Sequence, residues 1–396
     1  MRKYLATSDK ILSFTLSVFV FILLVDPTNS ILKLKNIVFV VFVALSALHY
    51  PKVKIYAVLI IVAVYFIIVI SFISGYVAVY QFDYSFTLGI LKGFSSLILL
   101  FWIDKYRIID KLTFPSLVIC VIVIYTSIVF FYKPYLFNAL YTFFIKHDTT
   151  MMTGRRSFLG REFVSFFYKS LPVLIVPASI YTYKCVNGQG AGRKYFIMMS
   201  LLLITLFLGG TRACMLAVVL IFAFNLLLRL SHSDVGKLLL IPIFVTFLLV
   251  FSVLIFSLIS EKSEASNKVK FANLDSYSEL LIKHPTILLS GQGAGSIFYS
   301  KGRRSMVVQT EWSYLEILRM FGIIGAAVII ILFFYPLFLI YKKRKILELW
   351  IPVFVGYMFY LFVGGTNPLL LGSTGMLVLL SAYSYALNPS YEMKEC

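Results

Sequence analysis

The sequence predicts an all-α polytopic membrane protein of about twelve transmembrane helices, and three observations predict it. Of its 396 residues 60% are hydrophobic, and the mean hydropathy is +0.93. No water-soluble domain can bury that much apolar surface, so the bilayer must act as solvent. The apolar residues fall into separate runs near the length of about 20 residues that crosses a bilayer core. Lysine and arginine then mark alternate connections between the runs, the arrangement that cytoplasmic loops impose. The net charge of +19 would point to nucleic acid in a soluble chain; here much of it sits in those short loops.

The spans fall near 11–26, 36–50, 53–75, 84–103, 113–132, 165–184, 195–209, 211–230, 238–260, 314–340, 349–364 and 368–388. The shorter ones are expected to be tilted, packed or partly interfacial. Met1–Lys10 and the apolar run to Val25 resemble a signal peptide. No small-x-small cleavage site follows at Asp26-Pro27-Thr28, so the segment reads as an uncleaved first span. Arg2, Lys3 and Lys10 precede it. Lys52 and Lys54 follow span two; Lys105, Arg107 and Lys111 follow span four; Lys184, Arg193 and Lys194 follow span six. Arg229 and Lys237 follow span eight, and Lys342, Lys343, Arg344 and Lys345 follow span ten. Every even-numbered connection is therefore basic, and both termini are expected in the cytoplasm. Lys33 and Lys35 are the exception, near the outer end of span two, where long stems can snorkel.

This arrangement makes residues 1–396 a single integral membrane domain with four outer features. They are a loop at 133–164, the Gly209–Arg212 turn, a loop at 261–313 and the Gly364–Pro368 turn. Connections as long as the third are usually functional. The pentapeptide GQGAG occurs at 188–192 and again at 291–295, with unmatched flanks. The first copy reads as a flexible cytoplasmic turn.

Several chemistries find no pattern. Cys120, Cys185, Cys214 and Cys396 are not placed for a disulfide and form no CxxC. The four histidines lack metal-ligand spacing. No DxD-type metal site lies in the outer loops, and no Ser/His/Asp triad can be assembled. The expectation is an activity without cofactor or metal.

The outer loops are nevertheless basic, where short outer loops normally lack cations. Arg155, Arg156, Arg161, Lys169, Arg212, Lys268, Lys270, Lys301, Arg303 and Arg304 lie there. Fixed cations on an outer face suit a polyanion, and guanidinium groups match the oxygens of a diphosphate ester. Contact with anionic headgroups is the plainer reading, above all for Lys301, Arg303 and Arg304. Arg212 differs, because it opens an otherwise apolar helix after Gly209, Gly210 and a capping Thr211. A cation there opposes the helix dipole, a conflict that an anionic ligand would resolve. Lys92 and Arg319 fall inside spans, where a charge needs a cavity or a partner. Glu316, one helical turn away, can pair with Arg319. Among the outer carboxylates Glu311 stands out: it closes the long loop beside Trp312 and Tyr314. It is placed either to act as a general base or to favour a helix dipole.

Three segments carry a family resemblance: GRRSFLGREF at 154–163, GGTRACML at 209–216, and the stretch from Lys270 through HPTILLSGQGAGSIF to TEWSYLEILRMFGIIG at 310–325. They resemble motifs of the O-antigen polymerase and ligase superfamily, bacterial membrane glycosyltransferases of GT-C-like architecture. The topology match covers nearly the whole chain, and the third motif is the most specific. Ligases of this superfamily carry a histidine where Glu311 stands, which favours the polymerase branch. Lys270 stands where the family often has arginine, and a lysine cannot grip phosphate bidentately.

The resemblance implies an inner-membrane enzyme whose long loops and active site face the periplasm. It implies that undecaprenyl-pyrophosphate-linked oligosaccharides are its substrates, and that the growing glycan moves onto the terminal sugar of a new lipid-linked repeat. Arg212 and Lys270, helped by Arg155 and Arg156, would hold the donor pyrophosphate, and Glu311 would take the acceptor's proton. Trp312 and Tyr314 would stack on sugars, Arg319 would join the binding groups, and a separate chain-length regulator would be a partner. The alternatives are a ligase acting on lipid A core and, in another class, a lipid-linked oligosaccharide flippase. A flippase would need charges along a central path and inverted repeats; here they gather at one face.

Overall fold

A computed structural model describes residues 2–78, 81–147, 150–158, 161–188, 192–209, 211–231 and 263–392. The protein is mostly helical, 77%. In chain order the helices are α1 (Arg2–Val25), α2 (Lys35–His49), α3 (Ile55–Ala78), α4 (Tyr84–Ser95), α5 (Ile108–Tyr132), α6 (Phe137–Lys146) and α7 (Ile175–Val186). They continue with α8 (Arg193–Leu208), α9 (Arg212–Ser231), α10 (Ser263–Lys283), α11 (Thr286–Ser290), α12 (Ser313–Lys342), α13 (Trp350–Gly365) and α14 (Ser373–Leu387). The expected ninth span, 238–260, lies outside the described residues.

Among the described residues, five helical segments are long and apolar enough to cross a membrane: Ile55–Val77, Tyr84–Lys105, Ile108–Tyr132, Arg212–Arg229 and Ser313–Lys342. Shorter apolar helices occupy Lys35–His49, Leu171–Val186, Trp350–Gly365 and Ser373–Leu387. At about 1.5 Å per residue each of these falls short of a hydrocarbon core about 30 Å thick. Their packing against the long helices, not their own length, fixes their place. The outer surface is apolar: Leu48, Val77, Phe14 and Ile324 are all exposed. α14 is the reverse, buried from Thr374 through Ala386. An apolar rind around a buried central helix is what a membrane protein presents to lipid.

Two features depart from the all-α expectation. β1 (Thr150–Phe158) and β2 (Arg161–Tyr168) form an antiparallel hairpin, and β3 (Phe298–Ser300) with β4 (Ser305–Val307) forms a second. The expected sixth span at 165–184 therefore begins too early, since its first residues belong to β2. A 3-10 turn at Leu171–Leu174 separates that strand from α7. Phe166, Phe167, Tyr168 and Leu171 are all buried, and only Lys169 and Ser170 interrupt the apolar residues of strand and helix, too short a break for hydropathy to divide them. The two expected long loops are likewise structured. Residues 133–164 hold α6 and most of the first hairpin, and 261–313 hold α10, α11 and the second.

The polar connections sort into two ends. At one end His49 meets Asp9 at 2.9 Å, Lys54 meets Asp104 at 2.9 Å, and Arg107 meets Asp110 at 2.7 Å. Lys343 meets Glu392 at 2.9 Å, and Arg107 lies 4.9 Å from the Tyr391 ring centroid, so the turn after α14 belongs to this end too. At the other, buried Asp26 accepts backbone N–H groups of Ser30, Ile31 and Leu32 after α1. Thr28 donates to the carbonyl of His147, just before β1. Lys35 donates to the Pro27 carbonyl at 2.7 Å, so it too lies at this second end.

The second GQGAG copy locks this end together. α12 breaks at Gly322, whose backbone (φ 63, ψ −179) is not helical. The break exposes the carbonyls of Arg319 and Met320, which accept from Gln292 N at 2.6 Å and Gly293 N at 3.1 Å. Ser71 of α3 bridges Ala294 N and the Met320 carbonyl, at 2.8 Å each. At Gly293 (φ +100) a Cβ would lie 2.3 Å from the Gly75 backbone, so only glycine lets loop and helix meet this closely.

Candidate functional site

The site builds up from α9, α10 and the loop before α12. Thr211 caps α9 as expected, its Oγ1 accepting from Cys214 N at 3.3 Å. Gly209 has helical backbone (φ −56), so space and not a left-handed turn requires it. A Cβ there would lie 2.1 Å from Leu171 Cδ2. Arg212, the first residue of α9, donates from Nη1 to Asn267 Oδ1 at 2.8 Å. Asn267 lies on α10, one turn before Lys270. Lys270 Nζ stands 3.3 Å from Glu311 Oε2, with the two side chains 33% and 39% exposed. Trp312 Nε1 donates to the Lys270 carbonyl at 3.2 Å. Arg212, Lys270, Glu311 and Trp312 thus form one chain of contacts around a single turn of α10.

Glu311 is held by what lies beneath it. Arg319 and Glu316 form an ion pair at 2.7 Å with side chains 1% and 0% exposed. Arg319 Nε also reaches Glu316 Oε2 at 2.9 Å. Nη1 reaches Gln292 Oε1 at 2.6 Å and Ser296 Oγ at 2.9 Å. Nη2 reaches the Val308 carbonyl at 2.8 Å, and the guanidinium lies 4.4 Å from the Phe298 ring centroid. Glu316 Oε1 in turn accepts from Thr310 N at 2.6 Å and Tyr277 Oη at 2.5 Å. Burial and then the Glu316 charge push the Tyr277 hydroxyl far above its ordinary range, so it remains a donor. The buried pair therefore pins Val308 and Thr310, the residues that lead into Glu311.

The remaining expected residues distribute as follows. Arg319 turns all three of its nitrogens to partners inside the protein and presents no open face to a ligand. Tyr314 donates to the Leu361 carbonyl at 2.9 Å, and a Cβ on Gly365 would lie 2.2 Å from its ring. Its place is the seam between α12 and α13, not an open surface for sugars. Arg155 and Arg156 lie on β1 opposite Val164 and Phe163; their side chains are outside the described set. Lys92 is exposed on α4. Lys301, Arg303 and Arg304 lie at the exposed tip joining β3 to β4. Lys301 pairs with Glu279 at 2.7 Å, nine residues and roughly 14 Å along α10 from Lys270.

Sequence reasoning missed Asn267, Tyr277, Gln292 and Ser296. Asn267, Lys270, Asn273 and Tyr277 recur at helical spacing, a pattern that marks one face of a helix inside the supposed loop. Gln292 sits in the repeated pentapeptide.

Chemically, the site offers two cations of different kinds beside a carboxylate with an indole against it. The Lys270–Glu311 contact is part-exposed, so either group can exchange its partner for a ligand of opposite charge. No protein-family model, curated protein or solved structure matches the chain.

Proposed function

We propose that the chain is a membrane glycosyltransferase of the O-antigen polymerase kind. It acts at the periplasmic face of a bacterial inner membrane and moves a glycan from undecaprenyl pyrophosphate onto the terminal sugar of a lipid-linked repeat. One observation carries the reading. Arg212, from the segment at 209–216, bonds Asn267 one turn before Lys270, and Lys270 pairs with Glu311 from the far end of the 261–313 segment, so residues from two separate segments meet around one turn of α10.

In this reading Arg212 and Lys270 hold the donor pyrophosphate. The bond between the anomeric carbon and the phosphate oxygen breaks, and its electron pair leaves on the pyrophosphate, where the two cations stabilise it. The acceptor hydroxyl forms the new bond to that carbon and gives its proton to Glu311. Lys270 changes partner from Glu311 to pyrophosphate as the donor binds, so a filled donor site is also the state with a free base. Trp312 offers its indole to a sugar ring. Arg319 and Glu316 are positioning residues that act through Thr310 and Val308.

The test is reconstitution. Purified chain with undecaprenyl-pyrophosphate-linked repeats should give a product ladder, and Arg212→Ala and Glu311→Gln should give none. Full ladders from both variants would refute the assigned roles. In cells, deletion should leave a single repeat on the core, whereas loss of a ligase would leave none.

A further inference from the structure

The end of the molecule opposite the candidate site carries an open groove of about 700 Å³ between α3, α12 and α14. Leu59 and Ala63 form one wall, Val328 and Leu332 the second, and Tyr383 and Leu387 the third. Its α12 wall runs from Val328 to Leu339, about 16 Å at roughly 1.5 Å per residue. That is close to half of a hydrocarbon core about 30 Å thick, the depth of a single leaflet.

Charge occurs at one end of the groove alone. Lys54 lines it there, with Tyr56 beside it. Lys54 shares Asp104 with Lys105, at 2.9 and 3.3 Å. Lys52 is exposed just before it, and Lys342, also exposed, ends the α12 wall one turn past Leu339. Lys343 is already paired with Glu392. Lys54 is thus the lysine that lines the groove, joined through Asp104 to Lys105, and Lys342 continues the α12 wall one turn further toward the same end. An apolar slot one leaflet deep, cationic at its headgroup end, fits one kind of occupant.

The geometry points to a bound phospholipid: one acyl chain of an anionic phospholipid lies along the α3–α12–α14 groove, its phosphate against Lys54 and Lys342. The site uses neither Arg212 nor Glu311 and stands apart from the proposed activity. It acts on the same two helices, α3 and α12, that clamp the second GQGAG loop at their other ends.

Native mass spectrometry of the delipidated full chain tests it, with phosphatidylglycerol, phosphatidylcholine of the same acyl chains, and a polyprenyl phosphate as probes. Wild type should retain phosphatidylglycerol roughly tenfold more tightly than phosphatidylcholine, as two surface lysines allow. The double variant Lys54→Gln, Lys342→Gln should lose that preference. Ala63→Trp, at an exposed wall position that tolerates bulk, should weaken both phospholipids while its gel-filtration profile stays that of wild type. Equal retention of the two phospholipids by wild type overturns the proposal, as does undiminished binding by Ala63→Trp. Tighter retention of polyprenyl phosphate than of phosphatidylglycerol overturns it in favour of a carrier-lipid site.

Discussion

Two ion pairs lie within one loop-and-helix junction and behave as opposites. Arg319–Glu316 is sealed, 1% and 0% exposed, and every nitrogen of the guanidinium has a partner. Lys270–Glu311 is 33% and 39% exposed, at a looser 3.3 Å. Removing one partner of a buried pair strands the other charge and typically costs about 3–5 kcal/mol. An exposed pair contributes about 0–1 kcal/mol and can be exchanged for a ligand. The sealed pair is thus architecture and the open pair is exchangeable, although the two carboxylates are only five residues apart in sequence.

The largest effect should come from Glu311→Gln, which should lower polymerisation in the reconstituted assay by roughly 10²–10⁴-fold and leave the thermal midpoint where it was. A lowered midpoint would make Glu311 architectural after all. Glu316→Ala or Arg319→Met should do the reverse, lowering stability by about 3–5 kcal/mol in thermal or denaturant unfolding. An unchanged midpoint in either would remove the distinction between the pairs.

The two GQGAG copies extend the contrast to backbone. Gly295 closes the second copy at φ +89, with Thr87 Oγ1 2.3 Å from where a Cβ would stand. Gly192 closes the first copy with nothing within 4 Å. Gly295→Ala should cost about 1–3 kcal/mol, and Gly192→Ala should stay within about 0.5 kcal/mol. Equal costs would mean that the loop's fit around α12 does not matter. The smallest effect belongs to Glu279. Hydrogen bonds from Lys283 and Lys301 hold its carboxyl down at about 2, below the roughly 4.3 of an unfolded chain. A depressed folded pKa adds stability that is complete above the unfolded value and is lost as pH falls toward the folded one. Amide protection in the β3–β4 hairpin should therefore decline slightly as pH drops through that window, and Glu279→Gln should abolish the decline. A pH response unchanged by the substitution would discard this tie.

How legible the site was depends on charge. Arg212 was visible as a cation opening an apolar helix, Lys270 as one of the cations of a long basic loop, and Glu311 as the acid closing that loop beside Trp312 and Tyr314. Asn267 and Tyr277 carry no charge, and their helical spacing was hidden in what read as a loop. Arg319 was visible as a cation in a span, but its destination depended on Gln292 and Ser296, which fold back from before the helix. The fold's helical character followed from apolar run lengths. β2 did not, because only Lys169 and Ser170 part Phe166, Phe167 and Tyr168 from the apolar start of the next helix, and burial on both faces leaves no alternation to read. The break in α12 was equally silent: Gly322 is one of two glycines in that helix, and the loop that occupies the break explains it.

That clamp sets an order on biogenesis. Ser71 and Ala294 are separated by 223 positions in the chain. α3 therefore enters the membrane carrying a notch at Ser71 and Gly75 whose filling has yet to be translated. Until the last third of the protein emerges, this polar notch must be shielded by lipid headgroups, water or an insertion factor. A chain truncated ahead of residue 291 would be left with an unfinished bundle, a ready substrate for membrane quality control.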